Sequence, residues 1–176
     1  MNQHEFDLLL KNRAFIEEKL NEFKKKEILQ KQPINENEIL GHLAKAKHNL
    51  NFVYDNLKLG YLDWCLTGCY YAAYQAALAL LLKKGYASKN HNATLLILIK
   101  DYYRYGVDKE DLFLIEQLYF DYQDLLFYVE SKTEREKASY STIRNFDKNL
   151  IEALRIKSML FVDKAIEISG VKLNMV

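Results

Sequence analysis

Residues 64–82, WCLTGCYYAAYQAALALLL, form an apolar stretch without a single charged side chain. A run of this length is either a membrane span or a helix that is buried on all sides. Tyrosines, Thr67 and Gly68 interrupt its first half, and Gln75 lies near its middle, where insertion into a bilayer is costly. We find no second span and no signal-peptide pattern. The stretch therefore predicts a buried central helix on which the other helices pack.

The composition of the chain indicates one globular domain in a reducing compartment. The 176 residues are 49% hydrophobic, with six glycines and one proline, as long helices with few turns require. A formal net charge of +1 gives no global argument for binding nucleic acid or a membrane. Cys65 and Cys69 are four residues apart inside the apolar stretch, which is not a redox or zinc spacing. We interpret them as core residues of a cytoplasmic protein.

Apolar periodicity predicts an all-α antiparallel bundle of about five to six helices, and no segment shows the alternation of a strand. Residues 1–34 are expected to form an N-terminal helical extension, residues 35–170 the bundle and residues 171–176 a loose tail. The predicted helices cover residues 4–28, 36–59, 63–84, 91–105, 108–131 and 145–169.

The second predicted helix has the clearest pattern. Its apolar residues recur at alternating spacings of four and three, which is the seam of a helix packed on another helix: Ile39, Leu43, Ala46, Leu50, Val53 and Leu57. Asn35 and Glu38 resemble a capping box, and Gly60 is placed to end the helix.

Two further features carry alternative interpretations. Lys24, Lys25 and Lys26 close the first helix, where they suit the negative end of the helix dipole or contact phosphate. Residues 119–128, YFDYQDLLFY, place aromatic side chains at helical spacing. Such a stripe packs in a core or a dimer interface, or stacks on bases.

The sequence contains none of the common nucleotide-binding, zinc-protease or nucleophile-elbow motifs. Four histidines are scattered along the chain. Asp121 and Asp124 lie three residues apart without a third ligand, which is a weak pattern for a divalent ion. We therefore expect neither a metal nor a cofactor.

Two short groupings are candidate sites. Lys89 and His91 stand at a predicted helix start, where free backbone N–H groups receive anions, although His91 serves equally well as a capping or packing residue. Arg135 and Tyr140 lie in a polar stretch, residues 131–144, that is expected to be a long loop. Arginine binds phosphate in a bidentate manner, and tyrosine can stack, donate a proton or accept a modification.

These groupings follow the central helix in a recognisable order. Residues 60–64 (GYLDW), 70–82 (YYAAYQAALALLL), 84–86 (KGY), 89–91 (KNH) and 135–140 (REKASY) together resemble the HEPN domain, in particular its small stand-alone prokaryotic members. The resemblance extends over about residues 39–169.

The resemblance implies an all-α bundle that forms a homodimer. Many members are metal-independent ribonucleases whose active site is an arginine followed, after four to six residues, by a histidine, and is completed across the dimer. Many are toxins paired with a minimal nucleotidyltransferase that adenylylates a tyrosine near this motif.

On this pattern Arg135 and Tyr140 are the candidate catalytic residues, and Lys89, His91 and Arg135 the candidate nucleotide- or RNA-binding residues. Tyr140 stands where the histidine would be, and a phenol, which titrates near pH 10, is a poor base at neutral pH. Three hypotheses follow: a toxin-like RNA-associated module with a nucleotidyltransferase partner, a non-catalytic nucleotide-binding module, and a helical protein-interaction module.

Overall fold

The computed structural model describes residues 3–135 and 147–172, in which seven α-helices and one two-stranded sheet are present. In chain order the elements are α1 (Gln3–Lys11), α2 (Arg13–Lys25), β1 (Gln30–Lys31), α3 (Glu36–Leu59), α4 (Leu62–Lys83), β2 (Tyr86–Ala87), α5 (His91–Tyr102), α6 (Lys109–Arg135) and α7 (Lys148–Ser169). The predicted all-α helical bundle is thus confirmed.

Helix α4 is the centre of the bundle, as its lack of charge predicts. It packs against α3, α5, α6 and α7, and most of its side chains are buried. By length and composition it could cross a membrane, but 78% of its apolar window is buried inside the protein. At Gly68 an added Cβ would lie 2.5 Å from Val53 Cγ2, so glycine allows the close approach of α3.

The helix directions place the two ends of the bundle. Helix α3 runs antiparallel to α4, since Val53 meets Gly68 and His42 meets Gln75. Helix α6 also runs antiparallel to α4. Its start is linked through Tyr102 to Leu80 O near the end of α4, whereas Tyr122, further along α6, lies beside Tyr71 in the first half of α4. The last residue of α6, Arg135, therefore lies at the end of the bundle opposite to the two-stranded sheet.

Several predicted helix ends are confirmed. Asn35 caps α3 and accepts hydrogen bonds from the N–H groups of Asn37 and Glu38, and Gly60 follows the helix with a left-handed φ of 83°. Gly170 ends α7 in the same way, with a φ of 69°. The six seam residues of α3 are all buried.

The single helix predicted over residues 4–28 is wrong, because Asn12 divides it into α1 and α2. The Asn12 side chain accepts a hydrogen bond from Phe15 N and so starts a new helix. Lys25 is the last residue of α2, and Glu27 then adopts a left-handed φ of 55°.

The structure also contains two short strands that the sequence pattern does not indicate. Strands β1 and β2 pair antiparallel, with Gln30 opposite Ala87 and Lys31 opposite Tyr86. Strands of two residues are too short to show alternation in the sequence. The pairing ties the N-terminal segment to the bundle, and buried residues of that segment, Phe6, Ile16, Leu20 and Leu29, belong to the same core as α4.

The predicted loop over residues 131–144 is partly helical, because α6 continues to Arg135. The rest of that stretch, including Tyr140, lies outside the described residues. Helix α7 begins at Lys148, three residues later than predicted, and Asp147 caps it by accepting a hydrogen bond from Asn149 N. Residues 173–176 of the predicted tail are outside the described part as well.

Candidate functional site

A groove of about 790 Å³ lies between α3, the end of α4 and the two-stranded sheet. Leu78, Leu81 and Leu82 of α4 form apolar wall, and Lys89 stands on the rim with an exposed side chain. The other lining residues come from the N-terminal segment, α3 and the β2–α5 connection: Glu27, Ile28, Gln30, Gln32, Glu38, His42, Ala87, Ser88 and Asn90. A groove of this volume is of the size that binds small molecules.

Several polar groups of the groove already have partners. His42 Nδ1 lies 2.6 Å from Gln75 Oε1, and Gln32 Nε2 donates to Glu38 Oε2 at 2.9 Å. The Ser88 hydroxyl donates to Ile28 O at 2.8 Å, which fixes the β2–α5 connection to the N-terminal segment. The Lys89 ammonium, in contrast, has no salt-bridge partner within the described residues, so it is available to a ligand.

His91 starts α5, but its side chain turns into the core. Its Nε2 lies 3.2 Å from Glu116 Oε2, and both side chains are more than nine-tenths buried. This contact is a hydrogen bond between the imidazole of His91 and the carboxyl group of Glu116. The imidazole also stacks on Tyr119, with ring centroids 3.9 Å apart, while its Nδ1 is buried without a hydrogen-bond partner in the described part of the chain.

Around His91 the tyrosines of α4 and α6 form an aromatic cluster of Tyr70, Tyr71, Tyr74, Tyr119 and Tyr122. The Tyr70 and Tyr122 rings stack at 4.6 Å, and the hydroxyls of Tyr71 and Tyr122 lie 2.8 Å apart. Burial raises the pKa of Tyr70 and of Tyr74, and burial together with the Tyr71 hydroxyl raises the pKa of Tyr122 to about 12. The raised pKa values keep Tyr70, Tyr74 and Tyr122 neutral at physiological pH, so these three phenols do not act as bases.

Arg135 is the last residue of α6 and is not brought to His91 within one chain. Glu116, the partner of His91, lies nineteen residues earlier on the same helix, which corresponds to about 28 Å along the helix axis. Lys89 and His91 are close in sequence, but their side chains lie in different places: that of Lys89 on the groove rim and that of His91 in the core. The binding and catalytic roles of Lys89, His91, Arg135 and Tyr140 stay predictions.

A family model of the HEPN domain matches residues 40–157. The chain belongs to the HEPN domain family. The match begins inside α3 and ends inside α7, so that it covers the central helix and leaves α1, α2 and β1 outside. No curated protein matches the chain significantly.

Within this HEPN fold, Glu116 is the residue that sequence reasoning missed. It occupies a buried position on α6 between Ile115 and Leu118, and a carboxylate on an apolar helix face is a signal for a buried partner. The tyrosines of α4 give a related signal, since their hydroxyls need partners: that of the exposed Tyr71 lies beside Tyr122, whereas the buried hydroxyl of Tyr74 has no partner among the described residues.

The described part of this HEPN chain offers neither a metal site nor a reactive thiol. No three metal-ligating side chains come together within that part. Burial raises the pKa of the Cys65 thiol to about 11 and that of Cys69 to about 12, and both side chains are fully covered. Neither thiol is therefore a nucleophile in the folded protein.

Proposed function

We propose that this protein is an RNA-associated, toxin-like HEPN module that acts as a homodimer together with a minimal nucleotidyltransferase. Membership of the HEPN family points to a nucleotide- or RNA-related function at the level of the family. Arg135 is the residue that we assign to phosphate, at the end of α6 and inside the matched region. Its guanidinium is suited to bind the scissile phosphate of RNA, and Tyr140 follows it as hydrogen-bond donor or modification site.

The placement of Arg135 supports a site formed by two chains. The buried His91 is paired with Glu116, and Glu116 lies about 28 Å from Arg135 along the axis of α6. His91 therefore does not complete the site of Arg135 in its own protomer. A second Arg135 supplied across a dimer would double the positive charge around one phosphate. This arrangement needs no metal, because the cationic side chains stabilise the charge of the transition state.

Exposed aromatic side chains of α3 and α4 form a candidate interface for this dimer. Trp64 and Tyr71 lie seven residues apart on one side of α4, and they are 56% and 37% exposed. Phe52 of α3 joins them, since its Cδ1 lies 3.2 Å from the Cβ position of Gly68 between the two. Exposed aromatic residues of this kind are typical of interfaces.

RNA cleavage in the presence of a chelator tests the activity. We expect the wild type to cleave a single-stranded RNA, and the Arg135→Ala variant to be slower by roughly a hundredfold, as for the loss of one charge-stabilising donor. Arg13→Ala is the matched control, because Arg13 is an exposed arginine outside the family match. Equal cleavage by the wild type and Arg135→Ala would overturn the role of Arg135.

Light scattering tests the dimer. Trp64→Glu should convert a dimer to a monomer, because it places a charge in an aromatic interface, whereas Tyr105→Glu should leave the dimer intact. Tyr105 is 80% exposed and lies on the α5–α6 connection. A wild type that is monomeric at all concentrations would contradict the two-chain site.

The partner is tested by mass spectrometry. A nucleotidyltransferase would transfer AMP from ATP to the Tyr140 hydroxyl, with release of pyrophosphate and of the phenol proton. The modified peptide should contain residue 140, and Tyr140→Phe should remain unmodified.

A non-catalytic nucleotide-binding module is the second candidate function. The absence of a histidine four to six residues after Arg135 favours it. In that case the wild type cleaves no RNA, yet its melting temperature rises with a nucleotide, and Arg135→Ala abolishes the rise.

A further inference from the structure

Two lysine-rich segments that are far apart in the sequence meet at the two-stranded sheet. Residues 24–31 carry four lysines and one glutamate, and residues 83–89 carry three lysines and no acid. The whole chain has a net charge of only +1, so the rest of the protein is net negative. We name these seven residues the lysine surface: Lys24, Lys25, Lys26, Lys31, Lys83, Lys84 and Lys89.

The pairing of β1 with β2 joins the two segments, and lysines of both lie beside aromatic rings. Lys31 is the register partner of Tyr86, so both side chains lie on the same face of the sheet. Lys24 Nζ lies 5.7 Å from the centroid of the Tyr86 ring, and Lys84 Nζ lies 4.9 Å from that of Tyr102. The Tyr86 side chain is half-buried, with Lys24 over its ring and Lys31 opposite it in the sheet.

The neighbouring carboxylates do not neutralise this surface. Glu17 pairs with Lys100 at 3.1 Å and Glu22 with Lys19 at 3.0 Å, so these acids of α2 are used by other lysines. Glu38 accepts a hydrogen bond from Gln32. No lysine of the lysine surface forms a salt bridge to any described residue, whereas Glu27 is the single acid within the two segments.

Favourable interaction with helix dipoles explains only some residues of the lysine surface. Lys24 and Lys25 are in the last turn of α2, and Lys83 is in the last turn of α4, where a cation is favourable. Lys31 lies on a strand and Lys89 in a connection, so neither stands at a helix C-terminus. The excess of positive charge therefore exceeds what the helix ends require.

We propose that the lysine surface binds the phosphate backbone of an RNA strand, with Tyr86 available to stack on a base. Clustered lysines interleaved with an aromatic ring are the combination that single-stranded nucleic acid needs. The inference rests on the proposed RNA association of the protein. It adds a second contact, built partly by the N-terminal segment outside the family match, at the end of the bundle opposite to Arg135.

The test measures binding of a fluorescent single-stranded RNA by anisotropy at several salt concentrations. The variant Lys25→Gln/Lys31→Gln removes two exposed charges from the lysine surface. The control Lys45→Gln/Lys157→Gln removes two exposed charges from α3 and α7, so both proteins have the same net charge. Arg135→Ala is measured beside them.

Each lost phosphate contact to a single strand changes the slope of log K against log salt by about 0.7. We expect the lysine-surface variant to show a slope shallower by about 1.4 and weaker binding, and the control to match the wild type. All four substituted lysines are exposed and lie outside the hydrophobic core. Circular dichroism checks that the variants fold.

The outcomes separate this inference from the proposed function. Equal binding by the wild type and the lysine-surface variant overturns the lysine surface, and leaves cleavage or nucleotide binding through Arg135 untouched. Loss of cleavage in Arg135→Ala with unchanged RNA affinity supports two distinct contacts. Binding of the wild type to vesicles that contain phosphatidylserine, without binding to RNA, overturns the inference in favour of a membrane surface.

Discussion

The imidazole of His91 and the carboxylate of Glu116 meet at 3.2 Å in the core of the bundle, where each side chain is less than a tenth exposed. The pair joins the first residue of α5 to the middle of α6, and Tyr119 covers it by stacking. Buried polar groups of this kind are costly unless they are paired. The contact therefore holds α5 in one orientation and removes His91 from the protein surface.

Removing one partner of this pair should destabilise the protein strongly. Glu116→Ala leaves a buried imidazole without its hydrogen-bond partner, and we expect the free energy of unfolding to fall by about 3 kcal/mol. Glu116→Gln keeps an acceptor oxygen and should cost less. Urea unfolding of both variants measures the difference, and equal losses would show that the hydrogen bond to His91 contributes little.

Two glycines should respond in opposite directions to the same substitution. Gly68→Ala places a Cβ 2.5 Å from Val53 Cγ2, and overpacking of this kind costs about 1–3 kcal/mol. Gly41 lies on α3 with no heavy atom within 4 Å of an added Cβ, so Gly41→Ala should stabilise the protein by about 0.5–1 kcal/mol. Thermal unfolding checks both, and a stable Gly68→Ala protein would contradict the close approach of α3 and α4.

The N-terminal segment should unfold together with the bundle. Leu20 of α2 is fully buried in the common core, and Leu20→Ala should lower the free energy of unfolding by about 3 kcal/mol. Leu8→Ala is the control, because Leu8 is 55% exposed. A single unfolding transition is expected in both proteins. A separate early transition in Leu20→Ala alone would indicate an independent extension.

Stability should fall at alkaline pH. The folded protein holds the pKa of Cys65 at about 11, that of Cys69 at about 12 and that of Tyr122 at about 12, above their ordinary values of 9.0 and 10.0, mainly through burial. The neutral forms are thus favoured by folding, so their contribution is complete below pH 9 and is lost as the pH rises toward 12. Urea midpoints at pH 8, 10 and 11 should decrease in that order.

A variant assigns part of this pH dependence. Cys65→Ala/Cys69→Ala removes two of the groups and should flatten the decrease between pH 9 and 11. Identical pH profiles for the variant and the wild type would show that the thiols do not contribute.

The sequence predicts a helix well where its buried side chains recur every three or four residues. The spacing of Ile39, Leu43 and Ala46 predicts the buried face of α3, and Asn35 and Gly60 predict its ends, because caps act on backbone groups within one turn. The division at Asn12 was missed although the signal is local, since an asparagine inside a long periodic pattern does not by itself stop a helix.

Residue type and order select the candidate site residues, and the roles of Lys89 and Arg135 stay predictions. The pattern does not show that the side chain of His91 turns inward. Its partner Glu116 is twenty-five residues away, and no spacing rule connects the start of one helix with the middle of the next.

The helical class, the central helix and the family follow from the order of residues alone. An uncharged stretch of helical length has to be covered by other helices, and that requirement can be read from composition alone. The packing of the whole chain sets which distant groups meet: His91 with Glu116, and residues 24–31 with residues 83–89 through the β1–β2 pairing. Such contacts depend on the angles at which the helices cross and on where the chain returns, and both are set by close packing of the core.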